Sequence, residues 1–291
     1  MTIETPTIIA VIGATGHQGG SVVDALLEHD GVHVRALVRD PEGEKGRALA
    51  ARGVELFPGD LTDPQSIDAV LAGADGAFAM TTMAGPGGTE FEIATGTAVA
   101  DSAHRAGLPH LVFSSVGGAE RNTGIGHFES KRRVEEHIES LGIHATFVRP
   151  VFFMENLLGM GVSVEDGTVV VREPLPDGIP LQMIAVRDIG RVAAAVLLGG
   201  TSVEGGSVEI AGDQLTGSQI AAAFGEASGL PSRYEALPLE AIAAMGDAAN
   251  MFAWFAKLPA YQADFAATSE LDPEVLDLPE WIAHVGWNAG N

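Results

Sequence analysis

This 291-residue chain predicts an α/β fold: a doubly wound parallel sheet with a smaller C-terminal α+β lobe. Three observations lead there. Through the first half, short apolar runs alternate with helical stretches, the pattern of a parallel sheet covered on both faces. A glycine-rich turn joins the first run to the first helical stretch. Beyond Pro150 the alternation breaks. Hydrophobic residues make up 46% of the chain, enough for a sizeable core. We expect one domain over residues 1–150 and a smaller substrate or partner lobe over 151–291, with residues 188–212 returning to the first domain.

Each element has its own signal. Thr7-Ile8-Ile9-Ala10-Val11-Ile12 reads as a buried strand, and the helix after it carries Ser21-Val22-Val23-Asp24-Ala25-Leu26-Leu27 and ends near His29-Asp30-Gly31. A second strand covers 32–38, a short helix 46–51 and a third strand 54–57. Asp63 caps a helix over 64–71 that has Pro64 at its first position. The fourth strand spans 76–80. A long helix over 90–106 stops at Gly107 and Pro109. A fifth strand (110–115), a helix over 127–141 ended by Gly142, and a sixth strand (145–149) complete the first half. After Pro150, short strands at 168–171 and 181–184 flank the loop 174–178. A helix over 188–198 and a strand over 207–210 follow. Thr216 with Gln219 makes a capping box for a helix over 217–227. The acidic tail reads as helical, with Trp254, Phe255, Trp281 and Trp287 as packing residues and no evident chemistry.

The turn Gly13-Ala14-Thr15-Gly16-His17-Gln18-Gly19 carries the first functional signal. A glycine-rich strand-to-helix turn aims several backbone N–H groups at one spot, at the positive end of a helix dipole, and so binds a pyrophosphate. Gly13 allows the tight turn, Gly16 the approach of the phosphates, and Gly19 the packing of helix on strand. The residue after the second strand selects the dinucleotide. Here it is Arg39, whose guanidinium suits a ribose 2′-phosphate, and we expect NADP(H). The following Asp40 leaves NAD open. Gly59-Asp60-Leu61 follows the third strand; its carboxylate either accepts from an adenine amino group or caps the local turn. We place Asp60 and Leu61 at the cofactor.

The segment His127-Phe128-Glu129-Ser130-Lys131 occupies the place of a Tyr-x-x-x-Lys pair, with histidine where tyrosine stands in typical short-chain dehydrogenases. Neither Tyr234 nor Tyr261 has a lysine four residues on. Lys131 shares a helical face with Val134, Ile138 and Leu141 and so points at the protein, which suits a ribose ligand or catalytic group. His127 is the second catalytic candidate, as an acid or base near neutral pH. Arg132, Arg133, Glu135, Glu136 and Glu139 read as a solvated face, with Glu129–Arg133 and Arg132–Glu136 as helix pairs.

Composition excludes several classes. The net charge of −23, from 16 basic and 39 acidic residues, opposes direct nucleic-acid binding and anionic membranes. No cysteine is present, so disulfides, thiol nucleophiles and thiolate metal sites are excluded. The nine histidines show no metal-ligand spacing, and we expect no metal. Met1-Thr2-Ile3-Glu4-Thr5-Pro6 is no signal peptide, and no apolar run is long enough to span a bilayer. A cytoplasmic protein is expected.

Together the segments 13–20, 34–41, 59–63, 127–131 and 149–156 resemble the NmrA-like family of atypical short-chain dehydrogenases, and Asp188-Ile189-Gly190 adds to the match. The resemblance implies a Rossmann domain, a smaller lobe and NADP(H) between them. It implies that Thr15, Gln18, Arg39, Asp60, Thr81, Lys131 and Asn156 touch the cofactor. Phe153 stands where some relatives carry tyrosine. Such proteins divide into regulators that bind the dinucleotide without turnover and reductases of quinones or other small carbonyl compounds. The absent tyrosine favours a redox sensor acting through cofactor-dependent conformation and a regulatory protein partner. The alternative is an NADPH-dependent reductase of a small-molecule substrate, and the apolar loop 81–88 suits its substrate wall.

Overall fold

The computed structural model describes residues 6–200 and 203–290, so the reading of residues 1–5 lies outside it. The first half runs β1 (Thr7–Ile12), α1 (His17–Leu26), β2 (Val32–Val38), α2 (Glu44–Ala51), β3 (Glu55–Pro58), α3 (Pro64–Leu71), β4 (Gly76–Met80), α4 (Thr89–Ala106), β5 (Leu111–Ser114), α5 (Gly126–Ser140) and β6 (Ala145–Pro150). The second half adds β7 (Phe152–Phe153), β8 (Val162–Glu165), β9 (Thr168–Glu173), β10 (Leu181–Ile184), α6 (Val186–Leu197), β11 (Ser207–Ile210), β12 (Asp213–Leu215), α7 (Gly217–Ser228), β13 (Ser232–Ala236), α8 (Asp247–Phe255), α9 (Phe265–Leu271) and α10 (Leu278–His284).

Seven strands form the main sheet in the order β11-β6-β5-β4-β1-β2-β3, and every neighbouring pair is parallel. This is the doubly wound order with one further strand, β11, on the β6 edge. Successive side chains of β1 go to opposite faces. Val11 packs with Val22, Leu26, Ile189 and Val192 under α1 and α6. Ile12 packs with Ile67, Leu71, Val99 and Phe113 under α3 and α4. Gly190 lets α6 press on α1, since a Cβ there would lie 2.3 Å from the Ser21 carbonyl carbon. The strand order reverses between β1 and β4, which opens a crevice beyond their C-terminal ends.

The lobe holds two three-stranded sheets, β12-β10-β7 and β13-β9-β8, around Phe152, Met183, Phe224, Phe255 and Trp281. The buried Trp281 donates its indole N–H to Glu155 Oε1 at 3.1 Å. The strands β8, β12 and β13 are too short to announce themselves in sequence.

Two expectations about α5 are corrected. Glu135 is fully buried, not part of a solvated face. Arg149 of β6 lies beneath it and donates through Nε and Nη2 to its two carboxylate oxygens at 2.9 and 2.8 Å. A paired charge is tolerated inside because its lone pairs are satisfied. Glu129 does not pair with Arg133 either; it accepts from the Gly124 N–H at 2.9 Å. Arg132 does meet Glu136, at 3.3 Å.

Glu173, at the end of β9, is buried without an ion-pair partner among the described residues, and burial pushes its carboxyl up to about 7. The fold therefore holds this proton more tightly than the unfolded chain does. The resulting stabilisation is complete below the ordinary value of 4.5 and is lost as pH rises through about 7. Glu173→Gln should melt close to wild type near pH 4.5 and a few degrees above it near pH 8. Parallel melting curves at both pH values in a calorimeter would contradict this.

Candidate functional site

The crevice at the order reversal is lined by the turn after β1. Gly13 holds φ = +92°, which only glycine adopts without strain. The Gly16 N–H donates to the Gly13 carbonyl at 2.9 Å, closing the turn. A Cβ on Gly19 would sit 2.2 Å from the Gly13 oxygen, so only hydrogen fits where α1 meets the loop. The first turn of α1 has no side-chain cap. Its free N–H groups are thus left for a ligand.

A groove of about 500 Å³ runs from this turn along the ends of β2 and β3. Gly13, Thr15, Gly16, Arg39, Asp60 and Leu61 all line it. Asp60 Oδ1 accepts from the Thr62 N–H at 2.8 Å and its hydroxyl at 2.7 Å, which holds the carboxyl below its usual range. The turn-capping role is therefore present. Arg39 is exposed and makes no hydrogen bond or ion pair among the described residues. It shares a recess of about 390 Å³ with Lys45, whose ammonium donates to the Thr15 carbonyl at 3.0 Å. An unpaired guanidinium beside an ammonium suits a dianionic phosphate. With the glycine cradle, the residues present fit a phosphorylated dinucleotide.

The groove continues past Met80 and Thr82 into a cavity of about 260 Å³ between the two lobes. Gln18, Thr81, His127, Lys131 and Asn156 line it. Much of the remaining wall is apolar, from Met80, Met83, Phe128, Phe152, Phe153 and Met251. Gln18 is anchored from below by the Ser114 hydroxyl, which donates to its Oε1 at 2.5 Å. Ser115 also reaches the wall, and its hydroxyl has no partner among the described residues.

Lys131 is held on every side. Its ammonium donates to the Thr81 carbonyl at 2.8 Å and the Ser114 carbonyl at 3.3 Å, and lies 3.0 Å from Glu92 Oε1. The Ser130 hydroxyl donates to the other Glu92 oxygen at 2.5 Å. Burial pushes the lysine pKa down, against the pull of Glu92. A buried cation and anion of this kind persist only together.

His127 also has a partner. Its Nδ1 meets the carboxylate of Asp247, at the start of α8. The tail expected to hold no chemistry thus contributes to the site, and Tyr261 and Met251 join the cavity wall with it. Burial pushes the Tyr261 hydroxyl above its ordinary range. Tyr234 lies elsewhere and donates to the Leu175 carbonyl at 2.6 Å.

Three residues of this site escaped the reading by sequence. Glu92 had a signal, since it shares a helical face with Gly96, Val99 and Ala103, where an unpartnered acid would be out of place. Lys45 sits inside the first turn of a helix expected to begin only at residue 46. Asp247 had no local signal, being 120 residues from its partner.

The model of the NmrA-like family matches residues 5–282. An NAD(P)H azoreductase of Xenophilus azovorans is 35% identical over 235 residues, covering 80% of this chain and 78% of that protein. Among solved structures, an NADPH-dependent quinone oxidoreductase of Escherichia coli, complexed with NADPH, is 26% identical with a TM-score of 0.80, over 96% of this chain and 100% of that one. NmrA, a negative transcriptional regulator crystallised with NADP, superposes with a TM-score of 0.82 at 24% identity, over 97% and 96% of the two chains.

Arg39→Ala should weaken NADPH about 10- to 100-fold in calorimetry, the loss of one charge-assisted phosphate contact, and leave NADH within about threefold. Equal losses for both dinucleotides would show that Arg39 does not read the phosphate. Gly19→Ala should destabilise the fold by about 1–3 kcal/mol through overpacking and weaken both dinucleotides alike.

Proposed function

Because this chain belongs to the NmrA-like family, we propose that it is an NADPH-dependent reductase of a small, flat, apolar acceptor such as a quinone. The observation that carries this reading is the cavity between the lobes. It adjoins the dinucleotide groove, is walled by aromatic and methionine side chains, and presents His127 and Lys131. The azoreductase and quinone oxidoreductase relatives support the same reading.

NADP(H) is the cofactor, and when bound it supplies the hydride. The backbone N–H groups of the turn from Gly13 to Gln18 bind its diphosphate, and Gly19 permits their convergence. Arg39, assisted by Lys45, takes the 2′-phosphate. Asp60 and Leu61 border the adenine end. Thr81, Lys131, Gln18 and Asn156 hold the nicotinamide end against the cavity. The three N–H donors of Lys131 meet four acceptors, of which the Ser114 carbonyl and the Thr81 hydroxyl, both at 3.3 Å, are the weakest. A donor spent on either of these long contacts is the one a ribose hydroxyl would take over at least cost. The apolar walls exclude water and position the acceptor, which is most of what hydride transfer to a quinone requires. The partners of this reading are the cofactor and a small acceptor, met in the cytoplasm. No helix among the described residues is long and apolar enough to cross a membrane.

A second reading, a redox sensor that reports cofactor state to a protein partner, is favoured by the histidine in place of the usual tyrosine. It requires two conformations with different affinity for the dinucleotide. Steady-state NADPH absorbance with a panel of quinones separates the two. The reductase reading expects turnover that falls about 100-fold or more in Lys131→Ala, the scale of a lost positioning contact. Tight NADPH binding with no turnover on any quinone would favour the sensor.

A further inference from the structure

Helix α5 begins without a side-chain cap of its own, because Ile125 occupies the N-cap position. Its first amides are satisfied from the other lobe. Gly126 N–H donates to Asp247 Oδ1 at 2.8 Å, and His127 N–H donates to Oδ2 at 2.9 Å. The same Oδ2 meets Nδ1 of the His127 ring. Burial opposes the charge on Asp247, but the His127 ring and the two backbone donors outweigh it and keep the carboxyl below its usual range. An ionised carboxylate accepts and cannot donate, so the ring nitrogen facing it carries a hydrogen. The other nitrogen, Nε2, has no hydrogen-bond partner among the described residues, and the ring forms part of the cavity wall. The Phe128 ring stands edge-on to it at 4.8 Å and limits its tilt.

Resting on the reductase reading above, we propose that His127 delivers the proton to the reduced acceptor and that Asp247 is the positioning residue that decides which ring nitrogen gives it up. Reduction of a quinone needs a hydride and a proton. The acceptor gains the hydride with its two electrons, and the hydroquinone anion that results needs one proton on oxygen. His127 enters the step protonated on both nitrogens. The Nε2–H bond breaks, the O–H bond forms, and the ring is left neutral with its remaining hydrogen on Nδ1, against Asp247. The ring regains the Nε2 hydrogen from solvent after product leaves. Lys131 is poorly suited to this task. Releasing its proton would leave Glu92, 2% exposed, as a buried charge without its cation.

The geometry ties the step to assembly of the two lobes. Asp247 lies at the start of α8, whereas His127 and Lys131 lie on the first two turns of α5. The carboxylate that caps α5 therefore also sets the ring that serves the acceptor. Only a docked C-terminal lobe supplies it.

The test uses the full chain with Asp247→Asn and His127→Gln, each checked for folding by circular dichroism and for NADPH affinity by calorimetry. Menadione is the acceptor. Both variants should bind NADPH within about threefold of wild type and lose about 100-fold or more in kcat, the scale of general acid catalysis. Asp247→Glu should recover part of that loss. The second readout needs neither cofactor nor turnover. Nitrogen-15 shifts of the His127 ring, followed in the free protein up to a pH at which the ring is neutral, should report the remaining hydrogen on Nδ1 in wild type and a shift toward the Nε2-bearing form in Asp247→Asn. Should wild type turn over no quinone, the reductase reading falls and this step with it. Should wild type turn over while both variants keep their kcat, or should wild-type ring shifts place the neutral hydrogen on Nε2, the proton-delivery role falls alone.

Discussion

No atom larger than hydrogen fits between the start of α1 and the turn that precedes it. A Cβ at position 19 would lie 2.2 Å from the Gly13 carbonyl oxygen. That close approach aims the first amides of α1 into the crevice instead of burying them against a side chain. Everything at the dinucleotide end follows from it. Arg39 and Asp60 reach the same groove because β2 and β3 end at the same level as β1 in a parallel sheet. The reversal of strand order between β1 and β4 then leaves the crevice open on the side where Thr81 and the second cavity lie.

The cavity end is governed by a different constraint, the need to pair charges away from water. Lys131 is stable inside only with Glu92 and two backbone carbonyls around it. Glu135 is held inside by Arg149 from below and by Arg132 on its own helix. Both pairs clamp α5, from α4 on one side and β6 on the other, so the helix that carries His127 and Lys131 has little freedom to shift. The N-terminal amides of that helix are completed from across the lobe boundary by Asp247. The lobe thus serves as a wall for the acceptor and as a support for the residues facing it.

Much of this was legible along the chain, and for identifiable reasons. The central strands of the main sheet, β1, β4 and β5, are buried on both faces, so they read as continuous apolar runs. The turn from Gly13 to Gly19 is local, and its chemistry depends on backbone spacing alone. Lys131 could be placed inside because a helix repeats its faces every three to four residues. The small sheets were harder. β8, β12 and β13 have three to five residues each and take their stability from neighbours, not from their own pattern. Glu135 was misread because its helix face looks polar until Arg149 is placed under it.

Local order in the chain determined the alternation of strand and helix, the phosphate-binding turn, the guanidinium after β2 and the inward-facing lysine. These depend on interactions between residues a few positions apart, or on backbone geometry that glycine spacing alone sets. Tertiary structure alone decided that Glu92 neutralises Lys131, that Arg149 draws Glu135 inside, and that Asp247 meets His127. Such pairs are made by side chains 14 to 120 residues apart. Their meeting depends on how whole elements pack, which no window of sequence contains.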